Sequence, residues 1–79
     1  MSVKELSALL FNEGFRMVGK SSWKMGKVEI ILSKGFLYVK HSGVGTFSFP
    51  LREDDEINIT VFDGHLFIYR DGMVYTHKI

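Results

Sequence analysis

Ile57-Asn58-Ile59-Thr60-Val61-Phe62-Asp63-Gly64-His65-Leu66-Phe67-Ile68-Tyr69-Arg70 is the stretch whose reading decides the fold. Two runs rich in β-branched and aromatic residues flank an Asp-Gly pair. Such a pair tolerates the positive φ angles that a two-residue hairpin loop demands. The loop fixes the register: Phe62 faces His65, Val61 faces Leu66, Thr60 faces Phe67, Ile59 faces Ile68 and Asn58 faces Tyr69. Side chains alternate across a strand, so Ile57, Ile59, Val61, Leu66 and Ile68 share one face, which must be core. Phe62, Phe67 and Tyr69 share the other. A second turn, Asp71-Gly72, leads into a strand over 73–78 that adds Val74 to the aromatic face.

Upstream, the pattern repeats at an offset of 29 residues: VEIILSKGFLYVKHSGV (28–44) aligns with INITVFDGHLFIYRDGM (57–73). Strands over 28–33 and 36–41 meet at Lys34-Gly35. Val28, Ile30, Leu32, Leu37 and Val39 fall on one face, and Ile31, Phe36 and Tyr38 on the other beside an opposite-charge pair, Glu29 and Lys40. The loop Ser42-Gly43-Val44-Gly45 leads to a strand over 46–49. Pro50 cannot donate to a ladder, which predicts an edge or an end there. Arg52-Glu53-Asp54-Asp55-Glu56 reads as a solvated loop.

At the N-terminal end the period changes from 2 to 3.6. Ser2-Val3-Lys4-Glu5 is a capping box. Val3, Leu6, Leu9 and Leu10 then make one apolar helical stripe. Gly14 supplies the left-handed residue that ends a helix, and Phe15 is placed to fold back on its last turn. A helix over 3–13 is expected, then a short hairpin, 15–18 and 23–25. The expected fold is α+β: one short N-terminal helix packed on an antiparallel meander of six to eight strands, curled into a barrel-like or sandwich-like form. Two repeated three-stranded meanders are one reading of it.

The 79 residues fit a single domain, small enough to bury only a modest fraction of its surface. With no cysteine, disulfides and thiolate zinc sites are excluded. No run of apolar residues is long enough to span a bilayer, and no secretory leader is evident, so a soluble, cytoplasmic protein without membrane contacts is expected. Charge is uneven along the chain. Residues 1–49 carry seven Lys/Arg against three acids, whereas residues 50–79 carry three against six.

Residues capable of chemistry are present but not at working spacings. His65 and His77 are expected on opposite faces and His41 in the other meander, so the histidines are not expected to converge, and neither a metal nor another cofactor is expected. Ser21-Ser22 reads as turn chemistry, and the acidic run 53–56 lacks the spaced ligands of a calcium loop. Gly43-Val44-Gly45 is too short for a phosphate cradle. No catalytic residue is assigned, and a non-enzymatic role is expected.

Lys4-Glu5-Leu6, Leu9-Leu10, Asn12-Glu13-Gly14-Phe15, Val18 and Lys20-Ser21-Ser22 together resemble the opening of the HicA family of mRNA-cleaving toxins. In that family a helix ends in Gly-Phe or Gly-Tyr, a strand follows, and a Gly-Ser-His turn brings the catalytic histidine. Here Trp23 stands where that histidine would be and Ser21 where the glycine would be. The family's later helix is replaced by strands, so the resemblance does not bring its activity with it.

Two binding readings follow. One short helix cannot cover both faces of so apolar a sheet. The aromatic face of Phe62, Phe67, Tyr69 and Val74 therefore points to protein–protein contact, with a second copy as a homodimer or with a host protein. Small regulatory proteins of this kind include inhibitors carried by phages and mobile elements. The alternative is a single-stranded nucleic-acid binder using segment 16–40. There Arg16, Lys20, Lys24, Lys27, Lys34 and Lys40 interleave with Trp23, Phe36 and Tyr38. Of these, Arg16, Lys20, Trp23, Lys24, Lys27 and Tyr38 are the candidate site.

Overall fold

A computed structural model describes residues 1–79. It contains one helix and eight strands: α1 (Val3–Asn12), β1 (Arg16–Gly19), β2 (Ser22–Met25), β3 (Val28–Ser33), β4 (Phe36–His41), β5 (Gly45–Pro50), β6 (Ile57–Phe62), β7 (His65–Arg70) and β8 (Met73–Lys78). Every strand pairs antiparallel with its sequence neighbour within two sheets, ordered β1-β2-β3-β4-β5 and β6-β7-β8. The chain is therefore an α+β fold with a short N-terminal helix, and the sheets do not close into a barrel.

The helix begins and ends as its sequence dictates. The Glu5 amide donates to Ser2 Oγ, and the Ser2 amide donates back to the Glu5 carboxylate. The side-chain and then the backbone hydrogen bond from Ser2 hold the Glu5 carboxyl below its ordinary range. At the other end Gly14 takes φ +105°. The Gly14 amide donates to the Phe11 carbonyl and the Phe15 amide to the Leu10 carbonyl, the paired bonds of a Schellman stop. Phe15 is thereby turned into the core.

The hairpin register is the expected one. Phe62 pairs with His65, Thr60 with Phe67 and Asn58 with Tyr69. The turn residues Asp63 and Gly64 take φ 52° and 72°, as a type I′ loop needs. At the offset of 29, Val28 and Ile57, Ile30 and Ile59, Leu37 and Leu66, and Val39 and Ile68 are all buried, the first of each pair in a five-stranded sheet and the second in a three-stranded one. β5 is the edge of the larger sheet, and Pro50 is its last residue.

The core lies between the inner faces of the two sheets, with α1 closing one side. Leu6 and Leu10 from α1 join Trp23, Val28, Ile30, Leu37, Val39 and Phe49 from the larger sheet and Ile57, Ile59, Leu66 and Ile68 from the smaller. Where β5 meets β8, Phe49 and Tyr75 stack at 4.6 Å between ring centroids and 7° between planes. Arg70 extends over the Phe49 ring to Asp55, 3.7 Å away.

α1 packs against β1 and β6, and its C-cap covers an otherwise open sheet edge. The Val61 amide donates to Glu13 Oε1 at 2.7 Å, which occupies a donor that could template pairing with another chain. Glu13→Ala is expected to lower unfolding stability by about 1 kcal/mol, while Glu13→Gln keeps an acceptor and stays near wild type. Equal urea midpoints for the two variants would show that this bond carries no stability.

Candidate functional site

The sheets leave two outer faces. On the smaller sheet, the ladder from β6 through β7 to β8 sets three rows: Phe62, His65 and Lys78; Thr60, Phe67 and Thr76; Asn58, Tyr69 and Val74. Phe67 sits at the centre, flanked by threonines. Phe62 is 69% exposed, Tyr69 43% and Val74 52%. The four residues read from the hairpin as one surface thus share one face, and no element of the chain covers it. Helix and larger sheet are both committed to the opposite side.

The outer face of the larger sheet has a different composition. Arg16, Lys24, Glu29, Lys40 and Thr46 form one row across all five strands; Ser22, Ile31, Tyr38 and Ser48 form the next; Ser33, Phe36 and Pro50 form the third. Lys24, Lys27 and Lys40 gather with Glu29, Gly26 and Ser42 around a cleft of about 390 Å³ to which no hydrophobic residue contributes. Arg70–Asp55 is the sole ion pair in the chain. The Glu29–Lys40 pair is therefore in register without forming a salt bridge.

The candidate nucleic-acid residues divide on this framework. Lys24 and Lys27 come together, joined by Lys40, and Tyr38 lies on the same face. Lys20 lies apart from them in the β1–β2 turn, where the neighbouring Ser21 carbonyl accepts from the Leu32 amide. Arg16 is diverted: its guanidinium sits 4.6 Å from the Phe11 ring centroid and donates to the Phe15 carbonyl. Trp23 requires correction as a base-stacking residue. It is 1% exposed, and its indole N–H donates to Ser7 Oγ at 3.1 Å. Its place in β2 puts it opposite Ile30, on the core side of the sheet. The pairing of β2 with β3 decides this, and a four-residue strand carried too little alternation to reveal it.

The histidines also depart from expectation. His65 and His77 do occupy opposite faces of the smaller sheet, but His41 and His77 meet. Packing the two meanders face to face brings His41 Nδ1 within 2.7 Å of His77 Nε2, with the rings edge-on at 4.8 Å and Phe47 5.7 Å from His77. At that distance one ring donates and the other accepts. Only these two side chains converge, and no group of three or more His, Asp or Glu is assembled for a metal ion.

Burial, and then the neighbouring His41, depress the His77 pKa below 6.5. The unfolded chain therefore takes up this proton more readily than the folded one as pH falls through the ordinary histidine range. Stability is full above that range and declines below it. The slope is expected to be a fraction of the roughly 1.4 kcal/mol per pH unit that one fully linked proton gives, because the ring is partly exposed. His77→Phe keeps an aromatic ring against Phe47 and should flatten this part of the urea-midpoint profile. Parallel profiles for wild type and variant would remove His77 as its source.

The likeness of the opening segment to HicA toxins stops at the helix, the glycine stop and the strand. The position of that family's histidine is occupied by a core tryptophan, and six further strands, β3 to β8, follow. No protein-family model, no curated protein and no solved structure matches the chain.

Proposed function

We propose that this protein is a non-catalytic binding and regulatory module that works through the outer face of its three-stranded sheet, first of all by pairing with a second copy of itself. One observation carries the reading: Phe62, Phe67, Tyr69 and Val74 lie together on a face that the chain leaves open. Large aromatic and aliphatic side chains grouped on one uncovered face are characteristic of a contact surface.

The charges at the two ends of the face favour a two-fold arrangement. The β7–β8 turn at Asp71 and the acidic loop 53–56 lie at one end with Arg70, whereas His65 and Lys78 lie at the other beside a single acid, Asp63. An axis in the interface plane and perpendicular to the strands reverses the second copy, so the two acidic ends lie apart rather than against each other. Such an isologous contact is self-complementary. Sedimentation of the wild-type chain over a concentration series tests the reading, with reversible conversion to dimer mass expected. A chain that stays monomeric throughout overturns self-association.

A further inference from the structure

We propose that the outer face of the five-stranded sheet is a second, separate binding surface, and that it takes a single-stranded nucleic acid. Phosphates would lie over Lys24, Lys27 and Lys40, with a base stacked on Tyr38. Lys24 and Lys40 flank Glu29 in one row, and Lys27 enters the same cleft from the β2–β3 turn. Three ammonium groups surround one carboxylate, and none has an anionic partner within ion-pair distance. The cleft therefore carries a net positive charge of three lysines against one glutamate in a concavity, where an anion is favoured.

The aromatic part of the surface selects among anions. Tyr38 stands two residues from Lys40 along β4, about 7 Å away, on the same face. Phe36 follows one step further, with its ring centroid 6.4 Å from that of Tyr38 and the planes tilted by 41°. Beyond them, at the far end, Lys34 and Lys20 occupy neighbouring turns, linked where the Leu32 amide donates to the Ser21 carbonyl. A strand running along β4 would thus pass from one cationic end, over two rings, to another. Phe36 is exposed and Tyr38 half-exposed, and cationic tracks interrupted by accessible rings suit unpaired bases, whose faces are free to stack. A duplex hides those faces, and an acidic peptide has none.

The test is fluorescence anisotropy of a short labelled oligo(dT) and the matching oligo(U) against the full chain over a salt series. Binding is expected at low salt, weakening linearly in log–log form. Lys24→Gln, Lys27→Gln and Lys40→Gln together should reduce the slope by about two, since each single-strand phosphate contact contributes roughly 0.7. Tyr38→Ala should weaken binding at least about fivefold while Tyr38→Phe retains it, as stacking predicts. The lysines are exposed, so their replacement leaves the fold intact, and circular dichroism checks Tyr38→Ala. Absence of binding at low salt overturns the proposal. So does an unchanged salt slope in the triple variant. Equal affinity for single strand, duplex and poly-glutamate, with no effect of Tyr38→Ala in a folded protein, reduces the surface to a general anion patch and overturns it too. All these readouts are independent of pairing through the other sheet.

Discussion

Phe67→Asp is expected to give a folded chain that sediments as a monomer at concentrations where the wild type forms dimers. Phe67 lies at the centre of the outer face of β6-β7-β8, between Thr60 and Thr76, and its nearest ring is His65 at 6.2 Å. Phe67 is half-buried between its neighbours in the isolated chain, so a carboxylate there keeps access to solvent and folding loses only part of the ring's contacts. In a two-fold dimer the same substitution places two carboxylates near the axis, desolvated and close to one another. Burying unpaired charge of that kind costs several kcal/mol, so dimer dissociation should strengthen by about a thousandfold or more. Circular dichroism and analytical ultracentrifugation separate the outcomes. A variant that unfolds would mean that Phe67 is part of the core, and a variant that still dimerises would move the interface elsewhere.

The reach of the sequence differed from element to element, for physical reasons. Asp63-Gly64, Asp71-Gly72 and Lys34-Gly35 each fix a register by local turn geometry alone, so β3, β4, β6, β7 and β8 are legible to the residue. The capping box at Ser2 and the stop at Gly14 do the same for α1, which ends at Asn12, one residue short of the expected 13. The open aromatic face follows from register and strand parity, with no long-range information needed. What escaped depends on packing between elements distant in sequence. The meeting of His41 with His77, 36 residues apart, requires knowing that β4 and β8 face one another across the core. The bond from Val61 to Glu13 requires knowing which edge the helix end covers. Trp23 lies between these cases. Its strand is short, β3 carries an isoleucine on each face, Ile31 outward and Ile30 inward, and only the pairing with Ile30 shows that the indole turns inward.

That placement leads to the largest expected stability effect, at Trp23. Its side chain is completely enclosed, between Ser7 on α1 and Ile30 on β3, where helix, larger sheet and core come together. Trp23→Ala removes that ring and leaves a cavity the short strand cannot close, which costs about 3–5 kcal/mol. A chain of this length has a total stability of roughly 4–12 kcal/mol, so the variant should lose from about a quarter of it to nearly all of it and be largely unfolded at the low end. Trp23→Phe keeps most of the volume and gives up the hydrogen bond to Ser7, so a loss of about 1–2 kcal/mol is expected. Urea unfolding followed by circular dichroism measures both, since this is the chain's only tryptophan and its fluorescence disappears with it. A surface residue used for stacking bases behaves differently: its replacement shifts stability within about 0.5 kcal/mol and lowers only affinity. Trp23→Ala with a wild-type midpoint would place the indole outside the core and return it to the outer face beside Tyr38.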